Sequence, residues 1–197
     1  MKEEITERQA QIIEATGKLL MQKGIKGLTT KNLAQEIGFT EGALYRHFKS
    51  KEDIIALLLS YFANSIQERL SKIVEENESA EIQLKQVFNS QFVYLQRNPH
   101  CVIAILSEGL FNETERMNTT ISHVFDVKMK FLNQIIEKGK KEQKITSQLE
   151  TNEVIHLLAG SFRLMILKWR FANFKFDLIA EGNKIMQSSI DLITHKS

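Results

Sequence analysis

The sequence predicts an all-α protein of about nine helices, and three observations carry that expectation. Proline occurs once in 197 residues, against an average usage of about 5%. Because proline removes a donor and clashes with the preceding turn, its scarcity favours long uninterrupted helices. Apolar residues recur at three- and four-residue spacing along most of the chain, the period of a one-faced helix. No segment alternates apolar and polar residues in the manner of a half-buried strand, and no internal repeat or low-complexity tract occurs.

Each element follows from its boundaries. A first helix is expected from Ile5 to about Lys23, with Ile5, Ile12, Ile13, Thr16, Leu19 and Leu20 on one face and Gly24 as a left-handed cap. A short helix from Lys31 to Ile37 is stopped by Gly38, and Thr40 caps a second short one, Glu41 to Phe48. Ser50-Lys51-Glu52-Asp53 resembles a capping box and opens a long helix from Lys51 to about Glu76. The polar run Glu75 to Ser79 reads as a loop. The next helix, Ala80 to Arg97, carries Leu84, Val87, Phe88, Phe92 and Leu95 on one face and ends at Asn98-Pro99. A short apolar segment, His100 to Glu108, precedes a long helix from Glu113 to about Lys141. Two more are expected, Thr151 to Arg170 and Asp177 to about Thr194.

Composition narrows the class. With 43% hydrophobic and 25% charged residues the chain has a core, which excludes disorder, collagen and a disulfide scaffold. The net charge of +2 is too small for a general nucleic-acid coat. The lone Cys101 has no internal partner, which fits a reducing compartment. The N-terminus MKEEITERQAQ is charged where a signal peptide is apolar. The most apolar stretch, Val154 to Leu167, is interrupted by His156 and Arg163 and is too short to span a bilayer. A cytoplasmic protein with no membrane partner is expected.

Charge is unevenly placed. Residues 23 to 51 hold Lys23, Lys26, Lys31, Arg46, Lys49 and Lys51 against Glu36 and Glu41, a local net of +4 that leaves the remainder of the chain at −2. The same stretch holds two short helices separated by the turn Gly38-Phe39-Thr40, the helix-turn-helix pattern. In that motif the second helix enters the major groove, whose width admits an α-helix. Gly42 and Ala43 leave its first turn small, as close approach to a surface requires. Thr40, Tyr45 and His47 can donate to phosphate oxygens, while Leu44 and Phe48 face the core.

Taken as a set, Gly24, then Leu28-Thr29-Thr30, Leu33-Ala34, Ile37-Gly38-Phe39-Thr40, Gly42, Leu44-Tyr45, His47-Phe48 and Lys51-Glu52, this region resembles the DNA-binding domain of the tetracycline-repressor (TetR) family over roughly residues 8 to 58. Ile25 stands where that family often has an aromatic. The resemblance implies phosphate contacts from Thr30 and Lys31, with Lys31 also within reach of a base edge. It places Thr40, Gly42 and Ala43 against the major groove, and gives Tyr45, His47 and Lys51 backbone phosphates. Arg46 is the candidate for reading guanine; Glu41 either accepts from cytosine N4 or points to solvent. It also implies a homodimer on a double-stranded operator, with a DNA-binding domain at 1–50 and a ligand-binding and dimerisation domain at 51–197.

The resemblance transfers no ligand residues to the second domain. Phe62, Phe88, Phe92, Cys101, Phe125, Met129 and Phe131 are candidates to line an apolar cavity, although core packing is the commoner role of such residues. Twelve Phe against three Tyr and one Trp point to an apolar small-molecule effector, an acyl chain or a hydrophobic drug. Val154 to Leu167 is apolar around nearly its whole circumference and is expected to be buried on several sides. Gly160 and Ser161, with Gly182, Ile185 and Ser189 on the last helix, are candidates for a dimer interface of four helices. His100-Cys101 reads as structural, and His123 with Asp126 supplies two ligands where a metal site needs more. No metal, cofactor or catalytic set is indicated, so enzyme activity is not expected. The alternative function is a DNA-bound interaction protein with no small effector.

Overall fold

The structure is a computed structural model; it describes residues 6–46, 48–76, 78–106 and 115–194, without the side chain of Arg116. Among these residues it contains nine helices: α1 Glu7–Gly27, α2 Thr30–Ile37, α3 Glu41–Tyr45, α4 Lys51–Glu75, α5 Ala80–Arg97, α6 Pro99–Ile105, α7 Glu115–Lys141, α8 Thr151–Phe171 and α9 Leu178–Ile193. The one β-type pairing among them is an isolated bridge between Ile145 and Thr194. Ile5, His47, Glu108 and Glu113, each named above, lie outside the described residues.

Local chemistry sets most boundaries. Thr6 and Gln9 form a full capping box at the start of α1. Gly24 does break the helix, with φ 63° and ψ −171°, a region that glycine alone enters readily. The chain then resumes for a last turn to Gly27, beyond the expected end. Pro99 opens α6, where its missing N–H leaves nothing unsatisfied. Asp177 caps α9 by accepting from the Ile179 and Ala180 amides. Asn173 and Phe174 both take positive φ in the turn before it. Trp169 holds that turn, its indole donating to the Phe176 oxygen and its ring edge-on to Phe174 at 4.7 Å.

The chain divides into two compact units, Met1–Phe62 with Asn98–Val124, and Ala63–Arg97 with Phe125–Ser197. Helices α4 and α7 each pass from one unit to the other. In the first unit α1 packs on α2 and α6, and α2 on α3. Its core holds Ile12, Leu19, Leu20, Leu28, Leu33, Leu44, Ile54, Ile55, Leu58 and Phe62. Gly17 leaves room for the His100 ring, which lies 3.0 Å from where a Cβ would stand. Burial lowers the His100 pKa from 6.5 and keeps the imidazole neutral near pH 7.

In the second unit α5 and α8 both pack on α9. Phe162 of α8 meets Phe88 and Phe92 of α5 at ring separations of 5.6 and 5.1 Å. Arg69 joins α4 to α5, donating to the Ser90 main chain and hydroxyl at 2.9 and 2.7 Å and lying over the Tyr94 ring.

Two expectations for the last helices are corrected. Within one chain α8 is buried on one face, through Val154, Leu158, Phe162, Met165 and Trp169, rather than on several: Leu157, Leu164 and Phe171, seven residues apart, are 54, 58 and 75% exposed. Nor does Gly182 face outward. A Cβ there would stand 2.6 Å from the Phe92 ring, so its small size serves packing inside the chain. Gly182→Ala is expected to destabilise the fold by about 1–3 kcal/mol, the usual cost of overpacking, measured as a lower thermal midpoint.

Candidate nucleic-acid interface

Helix α2 is fixed at both ends by its own sequence. The Thr29 hydroxyl accepts from the Asn32 amide at 3.1 Å, and the Asn32 side chain donates to the Gly27 oxygen at 2.8 Å. Gly38 takes a left-handed conformation, φ 79° and ψ 30°, and Phe39 N–H then reaches back to the Ala34 oxygen at 2.8 Å. This closure satisfies helix-end carbonyls and turns the chain sharply. Thr40 starts the next helix by accepting from Ala43 N–H at 3.2 Å. The turn Gly38-Phe39-Thr40 is therefore made by glycine geometry followed at once by a cap.

Helix α3 is shorter than its expected span, ending at Tyr45, with Arg46 as its C-cap. The main-chain bond from Phe48 N–H to the Leu44 oxygen continues the curl, and both side chains are buried. The outward face carries Thr40, Glu41, Gly42, Tyr45 and Arg46, all exposed, with Ala43 half-buried beside them. A Cβ added to Gly42 meets nothing within 4 Å. Among the described residues no contact therefore requires glycine there, although glycine costs a helix about 0.8–1 kcal/mol relative to alanine.

The other candidates gather around this face unequally. Thr30, first residue of α2, and Tyr45, last of α3, share a hydrogen bond of 3.0 Å between their hydroxyls. That bond ties the two helices together and presents two oxygens side by side. Lys31 is exposed and carries its charge outward. Lys51 is half-buried at the start of α4, with its ammonium 3.6 Å from the Glu52 carboxylate. The Asp53 carboxylate accepts from Lys49 N–H at 2.8 Å, and Ser50 Oγ accepts from Asp53 N–H at 3.4 Å, so the expected capping box closes one residue wider. His47 is outside the described residues.

Residues outside the candidate set also help shape this unit. Arg8 lies over the Phe39 ring at 3.4 Å from its centroid, clasping the turn from α1. Lys18 of α1 pairs with Glu36 of α2, and that hydrogen bond, then the charge attraction, raises the Lys18 pKa above 10.5. The pair neutralises one of the two acids in the cationic stretch. The other, Glu41, occupies the first turn of α3, where the helix dipole favours an acid. No spacing rule in the sequence marks a pairing between residues as far apart as Arg8 and Phe39.

The ligand candidates divide between the units. Phe62 and Cys101 are buried in the first. In the second, Phe88, Phe92 and Phe131 are buried, Met129 is half-buried and Phe125 is exposed. Of the interface candidates, Gly160 and Ile185 are exposed, and Ser161 and Ser189 are half-buried. Among the described residues no three His, Cys, Asp or Glu side chains group as a metal site. No helix there is long and apolar enough to cross a membrane.

A short capped helix on a cationic two-helix scaffold, with an unfilled glycine on its outward face, defines a helix-turn-helix DNA-binding module. Residues 12–58 match the bacterial regulatory proteins of the tetR family, and residues 59–193 match the YsiA-like protein C-terminal region. The chain belongs to the TetR family and is a DNA-binding regulator. It is 26% identical over 175 residues to the nucleoid occlusion factor SlmA of Photobacterium profundum, covering 89% of this chain and 86% of that one. Among solved structures, the fold matches the fatty acid degradation regulator FadR of Bacillus halodurans with a TM-score of 0.86 at 20% identity, over 98% of this chain and 100% of that one. It also matches FadR of Bacillus subtilis, solved with stearoyl-CoA, with a TM-score of 0.82 at 22% identity, over 93% and 98%.

If Gly42 is the point of closest approach, Gly42→Leu should leave the thermal midpoint within a few degrees of wild type and lower DNA affinity by about 100-fold, since a clash of about 2.7 kcal/mol suffices. Gel-shift titration beside a melting curve checks both halves.

Proposed function

We propose that this protein is a homodimeric transcriptional repressor, released from a palindromic operator by a small apolar effector. The observation that carries the DNA half is the open face at Gly42, flanked by Thr40, Tyr45 and Arg46. In this reading Thr30, Lys31, Tyr45, His47 and Lys51 hold phosphates, Thr40, Gly42 and Ala43 lie along the groove, and Arg46 reaches a guanine edge. Two reading helices about 34–36 Å apart, one turn of DNA, would engage successive half-sites.

The dimer reading is supported by the uncovered stripe of α8, Leu157, Leu164 and Phe171, together with Ile185 and Leu192 of α9, the latter 86% exposed. Gly160, Ser161 and Ser189 lie on these helices, and a Cβ at Gly160 meets nothing within 4 Å. A second copy of the chain, related by a twofold axis, would bury both stripes in a four-helix arrangement. Leu164→Glu is therefore expected to shift the protein to monomer in sedimentation and to weaken operator binding, while its helical circular dichroism stays at wild-type strength.

The effector reading rests on the phenylalanine-rich second unit and on the stearoyl-CoA bound by the Bacillus subtilis relative in fold. An acyl molecule seated there would favour a conformation with a different spacing of reading helices, a population shift. Moving the protein from 99:1 to 1:99 requires a preference of about 5.5 kcal/mol for one state. Operator affinity measured with and without saturating stearoyl-CoA and shorter acyl thioesters tests this directly. A fall with one of them supports the switch. An affinity that none of them changes favours the second reading, a DNA-bound interaction protein, which the similarity to a nucleoid occlusion factor supports.

A further inference from the structure

Two glutamines are buried on α5, and the fold uses them differently. Gln83 donates through Nε2 to the main-chain oxygens of Ile73 and Glu76, at 3.1 and 2.9 Å, and so closes the end of α4. Gln91, two turns later, is 2% exposed, and among the described residues neither its Nε2 nor its Oε1 has a hydrogen-bond partner.

Its direction follows from the helix. Asn89 and Phe92 face α9, through Asn183 and the space at Gly182. Gln83, Ser90 and Tyr94 face α4, through Ile73 and Arg69. At about 100° per residue Gln91 falls between these two faces, on the inward stripe with Leu84, Phe88 and Leu95. Phe88 on that stripe meets Phe162 of α8, whose ring also carries the Lys128 ammonium 5.2 Å from its centroid, so Gln91 lies on the stripe turned toward α8. A buried amide with both ends unpaired is rare and calls for a reason. Packing gives none, because a leucine would fill a similar volume with no polar atom to satisfy.

We infer that Gln91 is the polar anchor of an effector site inside the second unit, its amide bonding the neutral carbonyl or hydroxyl of an otherwise apolar ligand. The inference rests on the ligand-responsive reading above and names the group that would select among apolar ligands. A neutral amide matches the oxygen of an ester, thioester, ketone or alcohol and brings no counter-charge to a carboxylate, while the Arg69 guanidinium is engaged by Ser90 and the Lys128 ammonium by the Phe162 face. Chain length would then be set by the apolar walls, and the presence of the oxygen function by Gln91.

The test compares methyl decanoate with decane, binding each to the full-length protein and to Gln91→Leu by calorimetry. The wild type is expected to prefer the ester by about tenfold, the worth of one good hydrogen bond. In Gln91→Leu that ratio should fall to about one, with decane bound no more weakly than by wild type. The ligand-free variant should melt at or above the wild-type midpoint, since an unpaired amide has gone. Should leucine lower that midpoint, Gln91→Met, with its unbranched side chain, is used and must show the same loss of preference. An ester preference that survives in the variant overturns the anchor and leaves ligand response standing. A wild-type protein that binds neither probe overturns the anchor, while the acyl-thioester titration above decides the effector reading separately.

Discussion

A helix of five residues does not persist alone in water, because nucleation fixes several residues for few hydrogen bonds. Helix α3 exists because Leu44 and Phe48 are buried beneath it, with Thr40 capping its start and the Tyr45 hydroxyl bonded to Thr30 at its end. The exposed Glu41, Gly42 and Arg46 are held in place by that anchorage. Thr40 and Tyr45 serve that anchorage from the outward face, while between them Gly42 stands with nothing within 4 Å of an added Cβ. Arg8 over Phe39 and Lys18 with Glu36 hold the same module from behind, through α1.

The second unit is organised by aromatic packing. Phe162 sits against both Phe88 and Phe92, and Gly182 allows α9 to close over Phe92. These contacts leave the opposite sides of α8 and α9 apolar and uncovered in a single chain. Helix α4 runs without interruption from the first unit, where Ile54, Ile55, Leu58 and Phe62 are buried, into the second, where Ala63, Ile66 and Leu70 are.

Much of this was legible in the sequence because it depends on local chemistry. Gly24, Gly38, Thr40 and Asn98-Pro99 each mark a boundary through a backbone requirement that one or two residue types meet, and the structure places breaks at each. The two short helices and the turn between them were legible for the same reason. What was not legible depends on tertiary placement. The end of α3 at Tyr45 carries no mark in the sequence, and Gly182 resembled an interface glycine until Phe92 was found against it. A helix apolar around most of its circumference, such as α8, reads as buried, yet its periodicity cannot say whether its own chain or another one covers it. Gln91 looks like any polar residue in an amphipathic helix; only its position between the faces toward α4 and α9 shows that its amide is enclosed.

The central claim is that a twofold pair of these reading heads recognises a specific duplex. A footprint of the purified protein on the DNA upstream of its own gene, titrated across salt concentration, tests it most directly. The account predicts two protected, near-palindromic half-sites centred about 10–10.5 base pairs, or a multiple of that, apart. Affinity should fall steeply with salt, as release of several phosphate counterions demands. Protection indifferent to sequence, or a single unpaired site, would contradict the account.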